Sequence, residues 1–218
     1  MFAYPKQAEF NRIVPKNKIY AHAKVSKRVK NLFAAQVAEI RWRYKLSPET
    51  INLSAREGIT EIQVFEIVLR APEVDKAVLQ AIDRAIPFPL LFQLTHSDQV
   101  RFAASYKRPN EADSSKWVIE ANFETGSQPL NAERRPLPVA LDLARLYEQI
   151  VRCHIPLPPR DGESLMEHIL RYQSIKTKKR ERKQLEARCD REKQFNRKVE
   201  LNAQVRALRA ELSSLQHS

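Results

Sequence analysis

The last 56 residues, Glu163 to Ser218, contain neither glycine nor proline. A stretch of that length without a chain-breaker points to helix once its apolar residues recur at helical spacing. They do: Leu201, Val205, Leu208, Leu212 and Leu215 stand four, three, four and three apart, a heptad seam of about two repeats. Leu165, Ile169 and Tyr172 mark an amphipathic start upstream, and apolar residues then vanish in KTKKRERK. One helix of ~50 residues would extend ~75 Å. A hairpin breaking near Phe195-Asn196 is the compact alternative, and both stay open at this point.

This carboxy-terminal arm is also basic. From Arg171 onward fourteen Lys and Arg face six Asp and Glu, an excess of +8 out of the chain's +12. Lys176, Lys178, Lys179, Arg180, Arg182 and Lys183 lie close enough along a helix to track phosphates, so they are candidate contacts to DNA or RNA backbone. The competing reading is a solvated face in which Glu181, Glu186 and Glu192 pair locally. Leu201, Val205, Leu208, Leu212 and Leu215 are candidate partner-binding residues: for another protein, for a second copy, or for the other half of a hairpin.

The rest of the chain reads as an α+β body, a mixed sheet of five or six strands packed with about three helices. Four segments are expected: an irregular arm over 1–25, the body over 26–155, a proline and glycine hinge over 156–162, and the helical arm over 163–218. Ser26 has the character of an N-cap, with Val29, Leu32, Phe33, Val37 and Ile40 at helical spacing behind it. IRWRYKL alternates strictly, setting Ile40, Trp42, Tyr44 and Leu46 against Arg41, Arg43 and Lys45; the three cations are candidate nucleic-acid contacts, which Arg101, Lys107 and Arg108 would extend. Thr50–Leu53 is expected as a short strand, and EIQVFEIVLR, apolar on both faces, as the central one. Helices are expected from Pro72 to Ala85 and Val139 to Arg152. Strands are expected over Leu90–Leu94, Val100–Lys107 and Trp117–Phe123, with a loop from Pro109 to Ser115.

Much is argued against by composition. Three glycines leave no GxGxxG and no phosphate-binding loop. Cys153 and Cys189 suit reduced thiols, and no Cys/His cluster has metal-ligand spacing. No apolar run approaches the ~20 residues of a membrane helix, and no secretory leader pattern is visible, so a cytoplasmic location without membrane contact is expected. One enzymatic alternative remains. The order of elements resembles the restriction-endonuclease-like core, which holds Mg²⁺ between an acid on one strand and a (D/E)-x-K on the next. Glu49 and Glu61 have tolerable spacing for it, but Gln63 stands where the lysine belongs, so Lys45 or Lys107 would have to supply the cation. Otherwise no cofactor is expected.

Several blocks also resemble one prokaryotic family of unknown function: FNRIVPKNKIY, EIQVFEIVLR, AIDRAIPFPLLFQL, AASYKR, PLPVALDLARLYEQIVR and EKQFNRKVELNAQVRAL. The resemblance runs from Phe10 to Leu212. It implies genes beside DNA methyltransferases and helicases in defence islands, and hence an accessory part in DNA modification or phage defence. It supplies no catalytic residue. The reading is therefore a non-catalytic accessory subunit that binds nucleic-acid backbone, a protein partner such as a methyltransferase or helicase, or both. A degenerate metal-dependent nuclease and a structural homodimer held by the heptads are the alternatives.

Overall fold

A computed structural model describes residues 2–110 and 117–217. The loop expected from Pro109 to Ser115 lies largely outside the described residues. The chain divides into two compact units, 1–154 and 155–218.

The first unit runs β1 (Phe2–Ala3), a 3-10 turn (Lys6–Ala8), β2 (Glu9–Ile13), α1 (Lys16–Ala23), α2 (Lys27–Gln36), β3 (Val37–Leu46) and α3 (Pro48–Ile51). It continues with β4 (Ile62–Leu69), α4 (Lys76–Ala85), β5 (Leu90–His96), β6 (Gln99–Pro109), β7 (Trp117–Glu124), β8 (Gln128–Pro129), β9 (Arg135–Pro136) and α5 (Leu143–Arg152). The main sheet has the order β2-β3-β4-β5-β6-β7, with β8 added alongside β6, and β1 pairs separately with β9. All its neighbours are antiparallel except β4 and β5, which run parallel on either side of α4. The crossover explains the composition of β4: a parallel strand in mid-sheet is covered on both faces, and six of its eight residues are buried.

One face of the sheet presents Ile40, Phe65, Ile67, Phe92 and Leu94 to Ile19 of α1, Phe33 of α2 and Val78, Ala81 and Ile82 of α4. Phe33, Val78, Ala81 and Ile82 are positions that the helical spacing marks; Ile19 is not. Helix starts follow local chemistry: Ser26 accepts from the Val29 N–H, Asp75 from Ala77 and Asp142 from Arg145. Against the other face lie Tyr4, stacked 4.6 Å from Tyr44, and α5, whose Tyr147 ring is 6.2 Å from Tyr106.

Three expectations for this unit change. The amino-terminal 25 residues are not an irregular arm: β2 is an edge strand of the main sheet and α1 packs on α4. Phe10 is the reason, its ring lying 4.1 Å from Trp42, which in turn stacks 5.9 Å from Phe65. Together with β8 this brings the sheet to seven strands among the described residues, slightly more than expected. Thr50–Leu53 is not a strand. Ser47 and Thr50 form a reciprocal capping box around Pro48, and Pro48–Ile51 turn as helix. Finally, the alternation in IRWRYKL does not survive as a single face. The ladder slips between Trp42 and Tyr44, so Trp42 lies opposite Phe65 while Tyr44 lies opposite Val64, its neighbour on the reverse side. Arg43 is the residue absorbed by the bulge.

The second unit is an antiparallel helical hairpin, α6 (Leu165–Arg191) and α7 (Phe195–His217). Ser164 and Glu167 form a capping box at its start. The break falls at 192–194, just ahead of the expected Phe195-Asn196, where the Glu192 carboxylate accepts from the Gln194 N–H. No helix among the described residues is long and apolar enough to cross a membrane.

A buried fork closes the open end of the hairpin. Arg171 donates to both Glu163 oxygens, at 2.6 and 2.9 Å, and to the carbonyls of Pro158 and Leu215. Arg160 donates to the carbonyls of Ser214 and Leu215, the last turn of α7. Hydrogen bonds from Arg171 hold the Glu163 carboxyl down at about 2, against an ordinary value of 4.5. A carboxyl depressed on folding stabilises above its unfolded value and loses that contribution as pH falls towards its folded one. The hairpin should therefore weaken between pH ~4.5 and ~2. Glu163→Gln should already be weaker at pH 7, by about 3 kcal/mol, and its acid loss of far-ultraviolet circular dichroism should be shallower than the wild type's. Equal stabilities at pH 7 would show that the fork does not hold the hairpin shut. Trp42 and Trp117, the chain's two tryptophans, both lie in the first unit and provide the internal control.

Candidate nucleic-acid interface

The basic run of α6 separates into two sets. Lys178 pairs with Glu211 of α7, and Arg182 approaches Glu186, which also accepts from Arg209 at 2.8 Å. These side chains belong to the seam between the helices, on the same side as the buried Ile175 and Cys189. Lys176, Lys179, Arg180 and Lys183 are exposed. At 3.6 residues per turn their spacing of three, one and three places them within about a third of the circumference. Among the described residues none of the four is in an ion pair. Four such cations along about 10 Å of helix form a phosphate-sized ladder, with Glu181 the one nearby acid among the described residues not committed to a pair. Of the three local acids expected to neutralise the run, Glu186 is committed to Arg182 and Arg209, and Glu192 caps the turn.

The heptad residues are used inside the chain. Val205 and Leu212 are buried, and Leu201, Leu208 and Leu215 are half-buried, on the helix that lies along α6. Of the occupants expected for the seam, the structure shows the other half of a hairpin: these residues lie along α6.

The strand cations are also occupied. Arg41 is 2.7 Å from Glu39 and bonds Asn11, Arg43 lies 3.4 Å from Glu66, and Lys45 lies 3.2 Å from Glu61. Alternation along the strand hid this, because the acids come from the neighbouring strand β4, the Glu61 beside it, and Glu39 two residues away. Arg101 pairs with Glu73 and Glu124, and Arg108 with Glu120. Lys107, expected on an exposed patch, is buried, with its ammonium 2.7 Å from Asp83 and bonded to the carbonyls of Asp83, Ile86 and Phe88 at the end of α4. Burial pushes the Lys107 ammonium below its usual range, while the Asp83 carboxylate opposes the shift.

The carboxylates of the nuclease alternative have structural partners. Glu49 accepts from the Ser47 hydroxyl at the start of α3, which holds its carboxyl below the ordinary value. Glu61 takes Lys45 and the amide of Gln63. Among the described residues no three His, Cys, Asp or Glu are grouped as metal ligands would be.

Residues 2–212 match the sequence model of the family described as Domain of unknown function (DUF4391). The chain belongs to that family. Nothing matches among curated proteins or among solved structures. The DUF4391 match spans both units, so the basic hairpin lies within the family's domain and is not an appendage to it.

Proposed function

We propose that this DUF4391 chain is a non-catalytic accessory subunit of a DNA-modification or phage-defence assembly, and that it holds nucleic-acid backbone on the outer face of α6. The observation that carries the reading is the division of the basic run: Lys176, Lys179, Arg180 and Lys183 stay exposed and unpaired on one face, while Lys178 and Arg182 are taken up by acids. Helix presentation favours phosphate contact, because the backbone that carries the cations is already ordered when the polymer arrives. The cations of β3 support this division of labour. Arg41, Arg43 and Lys45 of the sheet are paired with acids, so the strand patch offers less unpaired charge than the α6 face. A larger enzyme of the assembly, a methyltransferase or helicase, would supply the chemistry; the family resemblance supports that placement.

The test is duplex-DNA binding by the full chain, comparing Lys176→Ala/Lys179→Ala/Arg180→Ala/Lys183→Ala with the control Lys178→Ala/Arg182→Ala. The first variant should bind about a hundredfold more weakly and the second should largely keep its affinity. Equal losses would mean that total charge, not this face, governs association.

A further inference from the structure

We infer that the tip of the hairpin is a base-stacking element, so that the protein prefers single-stranded nucleic acid, or the unpaired end of a duplex, over continuous duplex. The inference rests on the backbone-binding reading above and adds a substrate class to it. Phe195 opens α7 at the turn and is 78% exposed; Val199, one turn on, is 51% exposed. An exposed phenyl ring is costly in water and contributes nothing to the hairpin seam, which is filled by Val205, Leu212, Ile175 and Cys189. Arg191, Lys193, Arg197 and Lys198, all within four residues of it along the chain, are exposed as well. Of the two acids at the turn, Glu192 is engaged with the Gln194 N–H, leaving Asp190.

An exposed aromatic ring on a basic turn suits an anionic polymer whose bases are free to leave their stack. It suits a protein partner less well, because the apolar patch is a single ring and one neighbouring turn. The stripe from Lys176 to Lys183 ends about two turns before the tip, so a strand guided along α6 by its phosphates arrives at Phe195. Continuous duplex offers the same phosphates but no open base face. The stripe therefore binds both forms, and the tip discriminates between them.

The experiment is fluorescence anisotropy with full-length protein at one low salt concentration, using a single-stranded DNA, its RNA counterpart and the DNA duplex of the same sequence. The wild type should bind the single strands more tightly than the duplex. Phe195→Ala should weaken single-strand binding about 5- to 30-fold, in keeping with ~1–2 kcal/mol for one stacked base, and change duplex binding less than about twofold. Phe195→Tyr should restore most of the loss, and unchanged circular dichroism would show that the hairpin is intact. If Phe195→Ala binds single strands as well as the wild type while the duplex is still bound, the stacking role is overturned and the backbone interface stands. If the wild type binds none of the three polymers, both readings fall. Comparison of the DNA and RNA strands identifies which polymer is preferred.

Discussion

Lys107→Met is expected to destabilise the first unit by about 3–5 kcal/mol, the range for breaking one side of a buried ion pair. Lys107 and Asp83 side chains are each 1% exposed. The substitution leaves the Asp83 carboxylate without its cation and strips three carbonyls at the end of α4 of their donor. The Ser105 hydroxyl donates to Asp83 and sits 2.7 Å from Asn122, which softens the loss but brings no charge. Tyr147 strengthens the same point from the opposite face. Its hydroxyl accepts from the Lys107 N–H and donates to the Ser105 carbonyl, satisfying both groups where the β6–β7 ladder slips. Urea unfolding followed by tryptophan fluorescence reads this unit. Asp83→Leu with Lys107→Met should cost less than the sum of the single changes, because the pair is coupled. A single-variant loss below about 1 kcal/mol would contradict a structural role for the pair.

Much of the fold is legible where one periodicity dominates. The apolar run of β4, the faces of α4 and α5 and the Ser26 cap all follow from side-chain spacing. The elements that are not legible are set by contacts distant in the chain. β2 is held by Phe10 on Trp42, and nothing within Glu9–Ile13 announces that partner. The bulge at Arg43 turns Tyr44 towards Tyr4, forty residues earlier, and so breaks an alternation that reads as unbroken. Asp83 lies about 100° from Ile82 round α4, where spacing alone suggests solvent. Only the ladder that brings Lys107 beneath it shows the pair.

For the candidate interface, the sequence shows the charge but not its allocation. Lys178 and Lys179 are adjacent and alike, yet one pairs with Glu211 thirty-three residues on and the other faces out. The difference comes from the return of α7, which the heptads allow but do not require. The same return buries Val205 and Leu212 and half-buries Leu201, Leu208 and Leu215.

The stripe should therefore dominate any binding of nucleic acid. Replacing its four cations with alanine should reduce duplex affinity about a hundredfold at moderate salt, since each lost phosphate contact forfeits both its attraction and its released counterion. Charge reversal to glutamate should abolish binding, because the same face would then repel the backbone. Neither change should disturb the hairpin, whose internal pairs use other residues.

The most direct test is the salt dependence of duplex-DNA binding by the full chain and by the four-alanine variant. The wild type should show log affinity falling linearly with log salt, and the variant should have a slope shallower by about three to four. Identical slopes, or no wild-type binding at low salt, would contradict the claim that the outer face of α6 is a phosphate-binding surface.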